Sequence, residues 1–117
     1  ARRMIDAGVA LALATDFNPG TCPTEAMPPI LSLACLRYAL HPAEAIAAAT
    51  VNAAHALGLG ADRGSLEPGK RADFQVADVP NHLHLAYRTG VNHCRAVVAG
   101  GRLVVEDGRL TPAASGG

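Results

Sequence analysis

The sequence predicts an α/β chain, and three observations carry that prediction. A short apolar run over residues 9–14 stops at a carboxylate, an alanine-rich tract over residues 28–57 reads as helix, and glycine-punctuated β-type runs follow residue 62. Val9-Ala10-Leu11-Ala12-Leu13 is bounded by Gly8 on one side and by polar turn residues on the other. A run of that length and composition reads as a buried strand of a sheet covered on both faces. Asp16 then stands at the C-terminal mouth of the strand. Catalytic groups collect there in barrels and open α/β sheets, because the loops vary while the strands hold them rigidly.

The remaining elements follow in chain order. Ala1 to Gly8 reads as a helix end closed by a C-terminal glycine. Beyond the Asp16 loop, Thr24-Glu25-Ala26 with Pro28 and Pro29 marks a helix start, since proline is tolerated only in the first turn. The body from Ile30 to Leu40 is apolar enough to lie on a sheet. His41-Pro42-Ala43-Glu44 restarts the chain with proline at the first helical position and an acid where the helix dipole favours it. Thr50 to Leu57 is a further helical stretch that either Gly58 or Gly60 can close in the left-handed conformation. From Asp62 the composition changes. Ala72 to Asp78 reads as a strand, and Cys94–Ala99 and Arg102–Glu106 read as a hairpin through Gly100-Gly101, with a second turn at Asp107-Gly108. Thr111 to Gly117 reads as a frayed tail.

Composition excludes several function classes. The 117 residues are one domain's worth and carry ten basic and ten acidic side chains, a formal net charge of zero. No long-range field is left to attract nucleic acid or an anionic membrane. Aromatics at 3% also remove the stacking platforms on which single-stranded nucleic acid binds. The cysteines Cys22, Cys35 and Cys94 are odd in number and far apart, which gives neither a disulfide framework nor a zinc knuckle. No apolar run approaches the ~20 residues that span a bilayer, and no secretory layout opens the chain. A cytoplasmic enzyme is the default expectation.

Two blocks carry a resemblance. Asp16-Phe-Asn-Pro-Gly-Thr21, followed by Pro23-Thr-Glu-Ala-Met-Pro28, and Gly64-Ser-Leu-Glu-Pro-Gly-Lys-Arg-Ala-Asp73 together resemble the C-terminal part of the imidazolonepropionase family, metal-dependent hydrolases of the amidohydrolase superfamily. The Gly-Lys-x-Ala-Asp block is superfamily-wide, and Asp-x-Asn-Pro-Gly-Thr is particular to the family. The resemblance implies a TIM-like (β/α)8 barrel plus a small β-sandwich. A closed barrel takes roughly 250 residues, so the expectation is a C-terminal fragment: residues 1–61 the end of the barrel domain, 62–110 part of the sandwich, and 111–117 a disordered tail.

The resemblance further implies hydrolysis of the cyclic amide of 4-imidazolone-5-propanoate to N-formimidoyl-L-glutamate in histidine degradation. It implies one bound zinc or iron (Zn2+ or Fe3+) whose other ligands lie outside this chain, and it leaves room for a homodimer of the full-length enzyme. Asp16 is implied as both metal ligand and catalytic proton acceptor, a pairing that suits a carboxylate beside an acidified water. Asn18, Gly20 and Thr21 are implied as substrate-binding, since an amide, a bare backbone and a hydroxyl match an amide-like ring edge. Read on residues alone, Asp16 equally suits an Asx-turn, and composition strongly favours a plain turn for Asn18 to Thr21.

Other residues are weighed and set aside. His82-Leu83-His84 has the form of a two-ligand metal pair on a strand, but in the family that pair follows the first barrel strand, far N-terminal of these residues. His41, His55 and His93 have no partner at ligand spacing. Cys22 lacks the base a nucleophilic thiol needs. Lys70, Arg71 and Asp73 read as architecture, with Asp73 accepting backbone or lysine hydrogen bonds. Two alternatives stand beside the main reading: another amidohydrolase, such as a nucleobase deaminase or a dihydroorotase-like ring opener, which should lack Asn18 to Thr21, and a non-catalytic structural or interaction module.

Overall fold

The computed structural model describes residues 1–114 and shows helices followed by an antiparallel sheet, in keeping with the α/β class. The helical part comprises α1 (Arg2–Asp6), α2 (Met27–Tyr38), α3 (Pro42–Ala49) and α4 (Val51–Ala56). The sheet is a meander of β1 (Phe74–Ala77), β2 (Cys94–Ala99), β3 (Arg102–Glu106) and β4 (Arg109–Leu110), with a short helix α5 (Leu83–Tyr87) in the connection between β1 and β2.

The helices α2 and α3 begin where the sequence says they should. Pro28 and Pro29 occupy the first turn of α2, where their missing N–H groups have no partner to lose. Pro42 opens α3, and the Glu44 carboxylate reaches back to accept the His41 backbone N–H at 2.8 Å. Thr50 separates α3 from α4, with its hydroxyl donating to the Ile46 carbonyl at 2.7 Å. Gly58 takes the left-handed position after α4, at φ 73°.

The core is assembled from small side chains. Ala34, Ala45 and Leu40 are buried together with Leu31 and Ala86, and Ile5, Leu13 and Leu85 rest against them. Alanine lets helix backbones approach closely but removes little apolar area from water per residue. Bonds between elements therefore carry much of the specification. Ser32 in α2 donates its hydroxyl to the Ala86 carbonyl of α5. Arg2 grips Glu44 through both guanidinium nitrogens, at 2.8 and 3.1 Å, and so joins α1 to α3.

In the sheet, Phe74 faces Val98 across β1 and β2, and Val97 faces Val105 across β2 and β3. Gly100 and Gly101 turn the β2–β3 hairpin at φ 56° and 78°, the paired positive angles that a two-residue turn of primed type demands. The turn is held from outside the hairpin as well: Gly100 N–H donates to the Asp73 carboxylate at 2.6 Å, and Gly101 N–H to the Ala72 carbonyl at 3.0 Å. Asp73 also faces Arg71 at 3.5 Å and Arg63 at 3.9 Å. The architectural role expected of Asp73 is therefore met by a backbone amide and arginines, with no lysine among its partners.

Three expectations need correction. Residues 9–14 form no hydrogen-bonded strand among the described residues, because a strand exists only beside a neighbour and none of the sheet's strands pairs with this segment. The segment keeps the strand's period of two: Leu11, Leu13 and Thr15 are half-buried while Ala12, Ala14 and Asp16 are exposed. The helix α5 was not anticipated, being shorter than the two or more turns that give a readable periodicity. The tail is tied down as far as residue 114, since Thr111 donates its N–H to Val104 at 3.0 Å and its hydroxyl to Leu103 at 2.5 Å, and Pro112–Ala114 forms a 3-10 turn. The rest of the expected tail, residues 115–117, lies outside the described residues.

Two stability predictions follow from these contacts. Hydrogen bonds from Arg2 first, and from the His41 backbone second, hold the Glu44 carboxyl down at about 2 against its ordinary 4.5. A depressed folded value stabilises above the unfolded value and ceases to as pH falls through the folded one. The α1–α3 link is thus expected to persist from neutral pH to near 4.5 and to be lost on the way to pH 2. Thermal melts of Glu44→Gln against wild type should show the smaller pH slope in the variant across that window. Gly64 sits at φ 97°, where an added Cβ would come 2.6 Å from Ala54 Cβ. Gly64→Ala is expected to cost about 2 kcal/mol or more through strain and clash together, as read by urea unfolding.

Candidate active site

The loop after the 9–14 segment is closed by its own side chains. Asn18 is at its centre. Its Oδ1 accepts the N–H of Gly20 at 2.9 Å, the N–H of Thr21 at 2.7 Å and the Thr21 hydroxyl at 3.3 Å. Its Nδ2 donates to the Asp16 carbonyl at 2.7 Å. The Asn18 backbone N–H bonds the Cys22 carbonyl at 2.9 Å, which makes an isolated antiparallel bridge across the loop. The Cys22 thiol donates to the Thr15 carbonyl at 3.0 Å, and the Thr15 hydroxyl accepts the Phe17 N–H at 3.3 Å.

Within this frame Asp16 adopts φ 53°. Left-handed backbone is uncommon outside glycine, with aspartate and asparagine the most tolerant exceptions. The Asp16 side chain contributes nothing to closing the turn: among the described residues its carboxylate accepts no hydrogen bond and joins no ion pair, and the residue is exposed. The local capping that one reading assigned to Asp16 is carried out by Asn18 and Thr15 instead. Gly20 passes so near Asn18 that a Cβ there would stand 3.3 Å from its Oδ1.

Asp16, Asn18, Gly20 and Thr21 are thus brought into one loop. The geometry gives them unlike roles: Asp16 is free, Asn18 keeps one Nδ2 hydrogen beyond its internal bonds, and the Gly20 N–H is already used. Thr15 and Cys22 also belong to the loop. Their signal in the sequence was faint, since a threonine ahead of a turn and a small residue behind it are ordinary loop composition.

A free, exposed carboxylate suits one ligand position on a hard or borderline cation. No group of three or more His, Cys, Asp and Glu residues that could hold a metal ion occurs among the described residues. Among the described residues the loop therefore presents one free carboxylate and no complete metal site. His82 and His84 do not supply the rest. They lie at the start of α5, where positions two apart do not share a helix face, and His84 Nδ1 is 3.3 Å from Asn81 Oδ1 with its ring edge-on to Tyr87. His41 precedes α3, His55 is exposed on α4, and buried His93 places Nε2 3.2 Å from the Arg88 carbonyl. Burial pushes the Cys35 thiol up, which makes it a poor nucleophile. A largely apolar cleft of about 610 Å³ between α2 and α5, lined by Cys35, Leu36, Leu83, His84 and Tyr87, shares no residue with the Asp16 loop.

The family model of the amidohydrolase family matches residues 1–104. The chain belongs to the amidohydrolase family. It is 56% identical over 110 residues to the imidazolonepropionase of Geobacillus kaustophilus, covering 94% of this chain and 26% of that relative. The chain thus spans only 26% of the length of the curated amidohydrolase it matches there. Among solved structures it is similar to a mutant atrazine chlorohydrolase of Arthrobacter aurescens complexed with zinc and atraton, with a TM-score of 0.77 at 27% identity over 95% of this chain and 28% of that one. It is also similar to the guanine deaminase of E. coli, with a TM-score of 0.70 at 27% identity over 90% and 29% of the two chains.

The left-handed turn at Asp16 yields a prediction independent of chemistry. Asp16→Asn should leave the loop's stability unchanged, whereas β-branched Asp16→Val should cost about 1–2 kcal/mol. Thermal melts of the two variants, carried in the same amidohydrolase polypeptide, separate the backbone demand from the role of the carboxylate.

Proposed function

We propose that this chain is the C-terminal portion of an imidazolonepropionase, with residues 1–61 ending a (β/α)8 barrel and residues 62–110 forming part of a small β-sandwich. The observation that carries the reading is the unpartnered Asp16 carboxylate, held in a left-handed turn by the Asn-Pro-Gly-Thr sequence that follows it. The similarity to imidazolonepropionase over 94% of the chain supports the same assignment, and the zinc named for the atrazine chlorohydrolase supports a metal-dependent reaction.

In this reading the substrate is 4-imidazolone-5-propanoate, and water is added across its cyclic amide. Asp16 is a ligand of one zinc or iron ion, which when bound polarises the ring carbonyl and makes a water acidic enough to attack near neutral pH. The chain's own residues then do the following. One Asp16 oxygen would hold the ion, leaving the other to accept the proton of the attacking water. As the ring carbon–nitrogen bond breaks, Asp16 returns that proton to the leaving nitrogen, and N-formimidoyl-L-glutamate results with atoms balanced. Thr21, through its hydroxyl, and Gly20, by lacking a side chain, line the substrate side. Asn18 offers its one remaining Nδ2 hydrogen there.

Three outcomes test the proposal. In the full-length enzyme, Asp16→Asn should abolish nearly all turnover, because an amide ligates weakly and accepts no proton; wild-type kcat in that variant would refute the assignment. Thr21→Ala should chiefly raise KM, by the equivalent of roughly 1–3 kcal/mol where a polar partner is left unpaired. A catalytic zinc uses about three protein ligands plus water, so the isolated 117 residues should neither hydrolyse imidazolonepropanoate nor bind zinc tightly, as equilibrium dialysis would show.

A further inference from the structure

The Asn18 side chain makes more internal hydrogen bonds than any other in the candidate loop, and they fall in two groups with different consequences. The acceptor group, Oδ1 to the N–H of Gly20 and of Thr21, closes the turn that follows Asp16. The donor group, Nδ2 to the Asp16 carbonyl at 2.7 Å, acts on the residue whose carboxylate is free. Among the described residues nothing bonds the Asp16 side chain, so the direction of that carboxylate is set through its backbone. That backbone is in the left-handed region, uncommon outside glycine even though aspartate tolerates it better than most residues, so a contact that holds it there also sets the carboxylate.

We infer that Asn18 is a positioning residue for Asp16: its amide locks the Asp16 peptide in the left-handed turn and thereby aims the carboxylate. This rests on the reading of Asp16 as metal ligand and proton acceptor, and it gives Asn18 a task apart from touching substrate. The two halves of the amide are chemically separable. Asn18→Asp keeps an acceptor for the Gly20 and Thr21 N–H groups but replaces the donor with a carboxylate oxygen close to the Asp16 carbonyl, where the two repel. Asn18→Ala removes both halves. Residues that orient a metal ligand typically change metal affinity or activity by about 10–100-fold when altered.

The test uses the full-length enzyme as wild type, Asn18→Ala, Asn18→Asp and Thr21→Ala, with three readouts: backbone amide exchange at Gly20 and Thr21, zinc affinity by competition with a chelator, and steady-state kinetics. Positioning predicts that both Asn18 variants lose about 10–100-fold in zinc affinity and in kcat, beyond any rise in KM. It also predicts that exchange protection at Gly20 and Thr21 is lost in Asn18→Ala but kept in Asn18→Asp. Zinc affinity and kcat at wild-type level with a raised KM in both variants, the pattern expected of Thr21→Ala, would overturn the inference and leave Asn18 a substrate contact. So would wild-type zinc affinity in Asn18→Asp, which shows the donor to be dispensable even where Asn18→Ala fails to fold. Failure of the underlying reading is told apart by Asp16→Asn, whose unimpaired turnover would remove the role of Asp16 whatever Asn18 does.

Discussion

Two hydrogen bonds to the backbone of the 9–14 segment decide where the candidate site emerges. Leu13 donates its N–H to the Ala48 carbonyl at 2.9 Å, at the end of α3, and the Asn52 side chain of α4 donates to the Leu11 carbonyl, also at 2.9 Å. A segment with no sheet partner among the described residues would otherwise leave these polar groups without protein partners, and an unmet backbone group costs free energy wherever water is excluded. The bonds fix the segment's rotation about its own axis. Leu11, Leu13 and Thr15 are turned to the partly buried side, and the alternation runs up to the left-handed turn at Asp16, which is exposed.

The small-residue core has a matching consequence. With Ala34, Ala45 and Ala48 at the helix contacts, backbones sit close enough for elements to be tied by direct bonds, as in the Ser32–Ala86 and Arg2–Glu44 links. The same composition leaves large apolar side chains on the outside: Leu36 is 81% exposed and Tyr87 82% exposed.

The block from Gly64 to Asp73 spends its side chains and glycines on architecture. Gly64 approaches Ala54 and Val51 where no side chain fits, Lys70 bonds Ser65 at 2.7 Å, and Asp73 closes the β2–β3 turn from outside. Each contact joins the sheet region to its own turns or to α4. The Asp16 loop is built differently. There the side chains of Thr15, Asn18 and Cys22 satisfy the loop's backbone and leave one carboxylate unused, which is the arrangement expected of a group reserved for something other than folding.

The sequence by itself determined most of the helix starts and the β2–β3 hairpin, because these depend on local rules: proline in a first turn and paired glycines in a tight turn. It also determined the period of two in residues 11–16, although not the strand itself, since strand pairing is a property of neighbours and none is present beside that segment. Only the tertiary structure decided how labour is divided inside the loop. Asp16 and Asn18 are both short polar residues with strong turn preferences, and nothing local says which one satisfies the backbone and which one stays free. The docking of segment 9–14 on α3 and α4 and the left-handed turn at Asp16 settle that choice, by giving Asn18 the amides and leaving Asp16 its carboxylate.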